Sequence, residues 1–306
     1  MNPPRSLPAA ARSSYAECSA RERIARLFDA GSFEEWLPPA QRVMSPHLAQ
    51  LGVPCAFDDG VAIGRARLDG RSVFVAAQEG AFMGGGVGEV HGAKLTGLLR
   101  RAVVERPDAV VLLAESGGVR LHEANAGLIA VSEVMRAVLD ARAAGIAVIA
   151  LIGGANGCFG GMGIVARCCS AVVMSDIGRL AMSGPEVIEA SHGAEEFDAQ
   201  DRALVWRTTG GKHRYLMGDA DALVEDDVSA FRGAAIEWMT QARPALDLAT
   251  LEAEHALLDA RLNEAPEGAD AYALWHRMGV PHPHRLGDMD VAQVRELRTS
   301  LEGAGT

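Results

Sequence analysis

Apolar positions along the chain follow two alternating periods. In YAECSARERIARLFDAGSFEEWLP, residues Ile24, Leu27 and Phe28 recur at helical spacing among charges until Pro38 and Pro39 stop the pattern, which predicts a helical arm over residues 15–40. The segments VAIGRARL and SVFVAAQ flank Asp69-Gly70, a pair that tolerates the positive φ angles of a tight turn, so Phe57 to Gln78 reads as a β-hairpin. After the glycine cluster at 84–88, GAKLTGLLRRAVVER places Leu95, Leu98, Leu99, Ala102 and Val103 on one helical face, and Pro107 ends it. The run AVVLLA is apolar throughout, as a strand covered on both faces must be. Ser116-Gly117-Gly118 follows, then a predicted helix from Val119 to Ala143 with Leu121, Leu128, Met135, Val138 and Leu139 as its buried stripe. The cycle recurs after Gly145 with the strand IAVIALI, a glycine loop from Gly153 to Gly161, a short apolar helix and the strand AVVMS. Alternation of buried strands and helices indicates an α/β fold built on parallel strands.

Beyond Ser183 the chain turns polar: six acids fall between Glu186 and Asp201, followed by a basic stretch with Arg202, Arg207, Lys212, His213 and Arg214 and an acidic group at Asp219, Asp221, Glu225, Asp226 and Asp227. Charge blocks of this kind suit solvated faces; the basic stretch equally suits contact with an acidic partner or an intersubunit surface. The sequence divides into a disordered segment over 1–14, the arm over 15–40, a core domain over 41–228 and C-terminal helices over 229–306.

Composition narrows the function. Forty acidic against 29 basic residues give a net charge of −11, and no run of five or more Lys and Arg occurs, which argues against nucleic-acid or anionic-membrane partners. Lys94 and Lys212 are the only lysines. The five cysteines form no C-x-x-C pair and fit reduced thiols in a cytoplasm, and no His or Cys spacing suggests a metal site. The uncharged stretch from Ala143 to Ala166 is long enough to span a bilayer but holds seven glycines and reads as strand, loop and helix start. Glycine makes up 34 of 306 residues, about 11% against a usual ~7%.

The chemistry concentrates where glycines follow strands. A chain passing from a strand into a helix exposes backbone N–H groups without intrahelical partners, and two such turns on adjacent strands would aim two donors at one oxygen. The alternative is that the glycines only permit tight turns and close packing. Gly161-Met162-Gly163-Ile164-Val165-Ala166 fits G-x-G-x-x-A but begins too far from its strand for dinucleotide binding. Ala114-Glu115-Ser116-Gly117-Gly118 resembles a nucleophile elbow with alanine in place of its first glycine, with His122 as a possible base; a serine here also serves as a helix cap.

Several segments together, RERIARLFDAGSFEEW, DGVAIGRARLDGRSVFVAAQ, GGGVGEVHGAKLTGLLRRA, VLLAESGGVRLHEA, GGANGCFGG and GRLAMSGPEVIE, resemble the N-terminal half of biotin-dependent acyl-CoA carboxyltransferases. WRTTGGKHRYLMGDADALVEDDVSAFRG resembles the β subunits of malonate decarboxylases, including the biotin-independent type. The resemblance implies a crotonase-like spiral of ββα units with N- and C-terminal helical extensions. It implies backbone donors to a thioester oxygen at the SGGVR and CFGG turns, hence at Gly118, Val119, Gly160 or Gly161. It makes Gly85, Gly86, Lys94, Gly117 and Arg120 candidate substrate contacts, although Lys94 equally suits a surface position at a helix start. It further implies a γ subunit completing the site, an α (transferase) subunit, and an acyl carrier protein with a CoA-like prosthetic group as thioester carrier, with no cofactor bound by this chain. The four-cysteine zinc ribbon common in bacterial carboxyltransferase β subunits is missing. The activity implied is decarboxylation of a malonyl thioester, the alternatives being carboxylate transfer to protein-bound biotin and a non-catalytic assembly subunit.

Overall fold

The hairpin forms as its sequence predicts: β2 (Val61–Leu68) and β3 (Arg71–Gln78) pair antiparallel across Asp69 and Gly70, both at positive φ. The structure, a computed structural model, describes residues 13–45, 50, 60–123, 125–241, 246–264 and 269–304. From β3 onward the sheet is parallel and strictly sequential, through β4 (Ala109–Ala114), β5 (Ala147–Ile152), β6 (Ala171–Ser175) and β7 (Ala222–Val224). At the other edge β1 (Glu34–Trp36) pairs antiparallel with β2. This corrects the arm: its helix α1 (Ala20–Leu27), closed by a Ser19–Glu22 capping box, ends seven residues before a strand that extends the sheet.

The strands β2 to β6 divide their side chains between two cores. On β4, Val110, Leu112 and Ala114 face a cluster shared with α2 (Glu89–Glu105) and α3 (Asn125–Ala143). Ala109, Val111 and Leu113 face the other way, toward α1 and the helix at Val228–Thr240. The chain reaches α8 (Val228–Thr240) through α4 (Gly160–Cys168), α5 (Pro185–His192), α6 (Arg202–Thr209) and α7 (Gly211–Leu216). A third cluster around Trp275 and Leu223 seats the C-terminal α10 (Ala271–Arg277) and α11 (Val291–Ala304); α9 (Leu248–Glu264) precedes them.

Three expectations change. The expected disorder over 1–12 lies outside the described residues, but Ser13 and Ser14 are fixed: Ser13 N–H donates to Asp227 and Ser14 Oγ to Asp226, at 3.0 and 2.5 Å. Helix α3 begins at Asn125 instead of Val119, and its buried stripe is Gly127, Ala130, Val131, Val134, Ala137, Val138 and Ala141. Leu121 is 86% exposed and Leu128 55%. Small residues win this face because α2 crosses closely, and a Cβ on Gly92 would lie 2.5 Å from that of Ala130. The basic stretch is no open cationic patch. Lys212 donates to Gly287 O and Arg207 lies over the Tyr272 ring, both anchoring the C-terminal part. Arg214 pairs with Asp219, and burial holds the His213 imidazole neutral with its pKa lowered to about 3. The uncharged Ala143–Ala166 stretch is strand, loop and helix, and no helix among the described residues is long and apolar enough to cross a membrane.

Candidate active site: two glycine turns in contact

Beyond the sheet the loops form a second layer. After each central strand the chain makes a single parallel bridge with the next loop: Val87 with Val119, Ser116 with Cys158, and Cys158 with Leu180. These rungs lock the SGGV turn after β4 against the CFGG turn after β5. Ser116 N–H donates to Gly157 O at 2.8 Å, and Phe159 N–H returns to Ser116 O at 2.7 Å. The turns touch at their glycines. Gly118 has φ +131°, Gly160 has φ +61°, and a Cβ on Gly160 would stand 2.8 Å from Gly118 Cα.

The hydrogen bonds already made within the turns single out the donors. Gly118 N–H is taken by Ser116 Oγ at 3.2 Å, Gly117 N–H by Gly84 O at 2.8 Å, and Gly160 N–H by Met182 O at 2.9 Å. Gly118 and Gly160 therefore serve as spacers and not as donors, which corrects their expected role. The Val87–Val119 rung uses Gly118 O and Arg120 N–H, leaving Val119 N–H outside it. Gly161 is the second residue of α4, where no intrahelical carbonyl is available, so its N–H is open as well. Neither amide has an acceptor among the described residues. Two unspent amides on turns in direct contact, one of them at a helix N-terminus, suit an oxygen that gains negative charge.

The model of the carboxyl transferase domain matches residues 14–245. The chain belongs to the carboxyl transferase family. It is similar to the malonyl-S-ACP:biotin-protein carboxyltransferase MADC of Malonomonas rubra, 39% identical over 308 residues and covering 93% of this chain and 96% of that one. Among solved structures it is similar to a Pseudomonas malonate decarboxylase hetero-tetramer in complex with malonate, with TM-score 0.79, 40% identity, and coverage of 86% of this chain and 96% of that one. A Pseudomonas malonate decarboxylase MdcD-MdcE hetero-dimer matches with TM-score 0.66 and 37% identity over 83% and 98% of the two chains. The crotonase-like α/β fold expected from the resemblance is thus the fold observed.

The GGGVG loop lies against the first turn, Gly117 N–H donating to Gly84 O, but several of the candidate substrate contacts are internal. Gly85, at φ +69°, passes directly over the Glu115–Ser116 backbone, and Gly86 gives its carbonyl to Arg120 Nε at 2.8 Å. Arg120 is buried, ion-paired with Glu123 and set over the Phe82 ring, so its guanidinium braces the loop and does not face an open site. Lys94 is also buried and donates to Val61 O at 2.6 Å, which removes the surface reading and commits its ammonium to the hairpin.

The elbow reading is not assembled. Ser116 is fully buried, its Oγ also donating to Gly118 O at 3.1 Å, and it makes no bond to His122, whose Nε2 is buried without a partner among the described residues. Burial pushes the Cys158 thiol up to about 12, so it stays protonated. No group of His, Cys, Asp and Glu among the described residues is disposed to hold a metal. Ser116→Ala should therefore retain activity within about tenfold, losing only part of the turn's support; a hydrolase would lose nearly all of it, and a thioester-turnover assay separates the two.

Proposed function

We propose that this chain is the β subunit of a malonate decarboxylase, converting malonyl-S-acyl carrier protein to acetyl-S-acyl carrier protein and CO2 with a γ subunit. The pair of unspent amides at Val119 and Gly161 carries the reading. When the bond between the α-carbon and the carboxylate breaks, its electron pair passes into the thioester as an enolate and CO2 departs; the α-carbon then takes a proton. Charge collects on the thioester oxygen only as the bond breaks, so donors aimed there stabilise the transition state more than the substrate. The similarity to subunits of a malonate decarboxylase hetero-tetramer and hetero-dimer supports partner subunits, here a γ subunit and an α (transferase) subunit that exchanges acetyl for malonate on the carrier. The reading gives this chain no bound cofactor, since the carrier's prosthetic group brings the thioester.

A second reading has its own support: the 39% identical relative is a biotin-protein carboxyltransferase, in which the same enolate step would hand the carboxyl group to biotin. Malonyl carrier protein supplied to the chain with its γ partner in biotin-free buffer distinguishes the two. Acetyl thioester and CO2 should form in equal amounts; an absolute requirement for added biotinyl protein would replace decarboxylation with transfer.

A further inference from the structure

Directly before the first turn lies a buried charge that the chemistry above leaves unused. Glu115 is 5% exposed and Arg23, 92 positions away on α1, is 1% exposed; Arg23 Nη1 donates to Glu115 Oε2. The other carboxylate oxygen accepts Asn156 N–H at 3.1 Å, from the glycine loop that leads into the second turn. Asn156 Nδ2 donates to Gly80 O at 2.7 Å, and Glu115 N–H donates to Gln78 Oε1 at 3.1 Å. Gly80 and Gly154 have no room for side chains because a Cβ on either would strike the Glu115 carboxyl group. Arg23 is itself held: its Nε donates to Tyr15 O at 2.9 Å and its guanidinium lies 4.5 Å over the Tyr15 ring. Through its carboxylate Glu115 thus joins the arm to the loop before the second turn, and through its own N–H it holds the end of the hairpin.

The two turns bond to each other through Ser116, Gly157 and Phe159. Glu115 and Asn156 sit one residue outside that junction and add a side-chain bond of 3.1 Å across it. A buried ion pair is a poor source of net stability compared with apolar side chains of similar volume, but its donor and acceptor geometry is rigid. We propose that Glu115, held by Arg23, is a positioning residue that sets the separation of the Val119 and Gly161 amides. The inference rests on the enolate reading above and adds the device that aligns its donors.

The test uses the full chain with its partner subunit and carrier. Arg23→Met combined with Glu115→Gln removes both charges at similar volume, so no unpaired charge is buried and the fold is expected to hold. Glu115→Asp keeps the charge and withdraws the carboxylate by one methylene. The readouts are the infrared carbonyl stretch of bound acetyl-carrier protein, kcat and KM for malonyl-carrier protein, and the affinity of a thioether analogue lacking the carbonyl. In the wild type the stretch should fall on binding. In both variants about half or more of that shift should disappear and kcat should drop about 100-fold, as for a displacement of roughly 1 Å. KM and thioether affinity should stay within about threefold, because binding away from the carbonyl is untouched. Folded variants with full shift and wild-type kcat, whatever their melting temperature, overturn the positioning role while leaving the enolate reading intact. A wild type that shows no shift overturns that reading and this inference with it.

Discussion

Replacing Val119 with proline is expected to lower decarboxylation about 10²- to 10³-fold, the loss of roughly 3–4 kcal/mol typical of removing one oxyanion donor. The substitution is selective because Val119 N–H has no acceptor among the described residues: its rung with Val87 runs through Gly118 O and Arg120 N–H. The missing proton therefore costs no ladder hydrogen bond. Since the interaction strengthens only as the enolate forms, kcat and kcat/KM should fall together with little change in KM. Val119→Ala keeps the donor and trims only a half-buried side chain, so it should stay within about tenfold of wild type. Steady-state kinetics on variants with matched circular dichroism spectra reads the difference, and a proline variant as active as the alanine variant would remove Val119 from the site.

Gly160→Ala is expected to damage both stability and turnover. At φ +61° an alanine costs about 1–2 kcal/mol, and its Cβ would stand 2.8 Å from Gly118 Cα. Backbone meets backbone there, so relief requires the two turns to separate. A separation approaching 1 Å should reduce kcat by about 100-fold, while the denaturant midpoint reports a loss of about 1–3 kcal/mol. Glycine at this position is thus required by contact between the turns, and its own N–H, given to Met182 O, is not the reason. Wild-type turnover with a lowered midpoint would mean that the turn separation is irrelevant to catalysis.

The central fold was legible because its signals are local. AVVLLA and AVIALI are apolar at every position and AVVMS at every position but Ser175, as strands with helices on both faces must be, and Asp69-Gly70 announces its hairpin. The edge strand at Glu34–Trp36 was not legible, since three residues reading EEW carry no period and their pairing with β2 is a tertiary event. The start of α3 was misplaced because Leu121 and Leu128 invite a helical stripe, whereas close approach to α2 selects alanines, valines and a glycine. At the site, glycine spacing gave the two turns. It could not say which amides remain unspent, because Gly118 and Gly160 are satisfied by Ser116 and by Met182, the latter 22 residues away. The Arg23–Glu115 pair is not legible for the same reason: its partners lie 92 positions apart and carry no motif.

The proposed chemistry requires one thioester oxygen to be held by two particular amides. The most direct measurement is a structure of the β/γ assembly with a carrier-mimicking thioester whose carboxylate is replaced by a stable anionic group, so that no CO2 can leave. The thioester oxygen is expected within about 2.7–3.1 Å of both Val119 N and Gly161 N. A thioester bound with its oxygen on Gly118, on Gly160 or away from the two turns would contradict it.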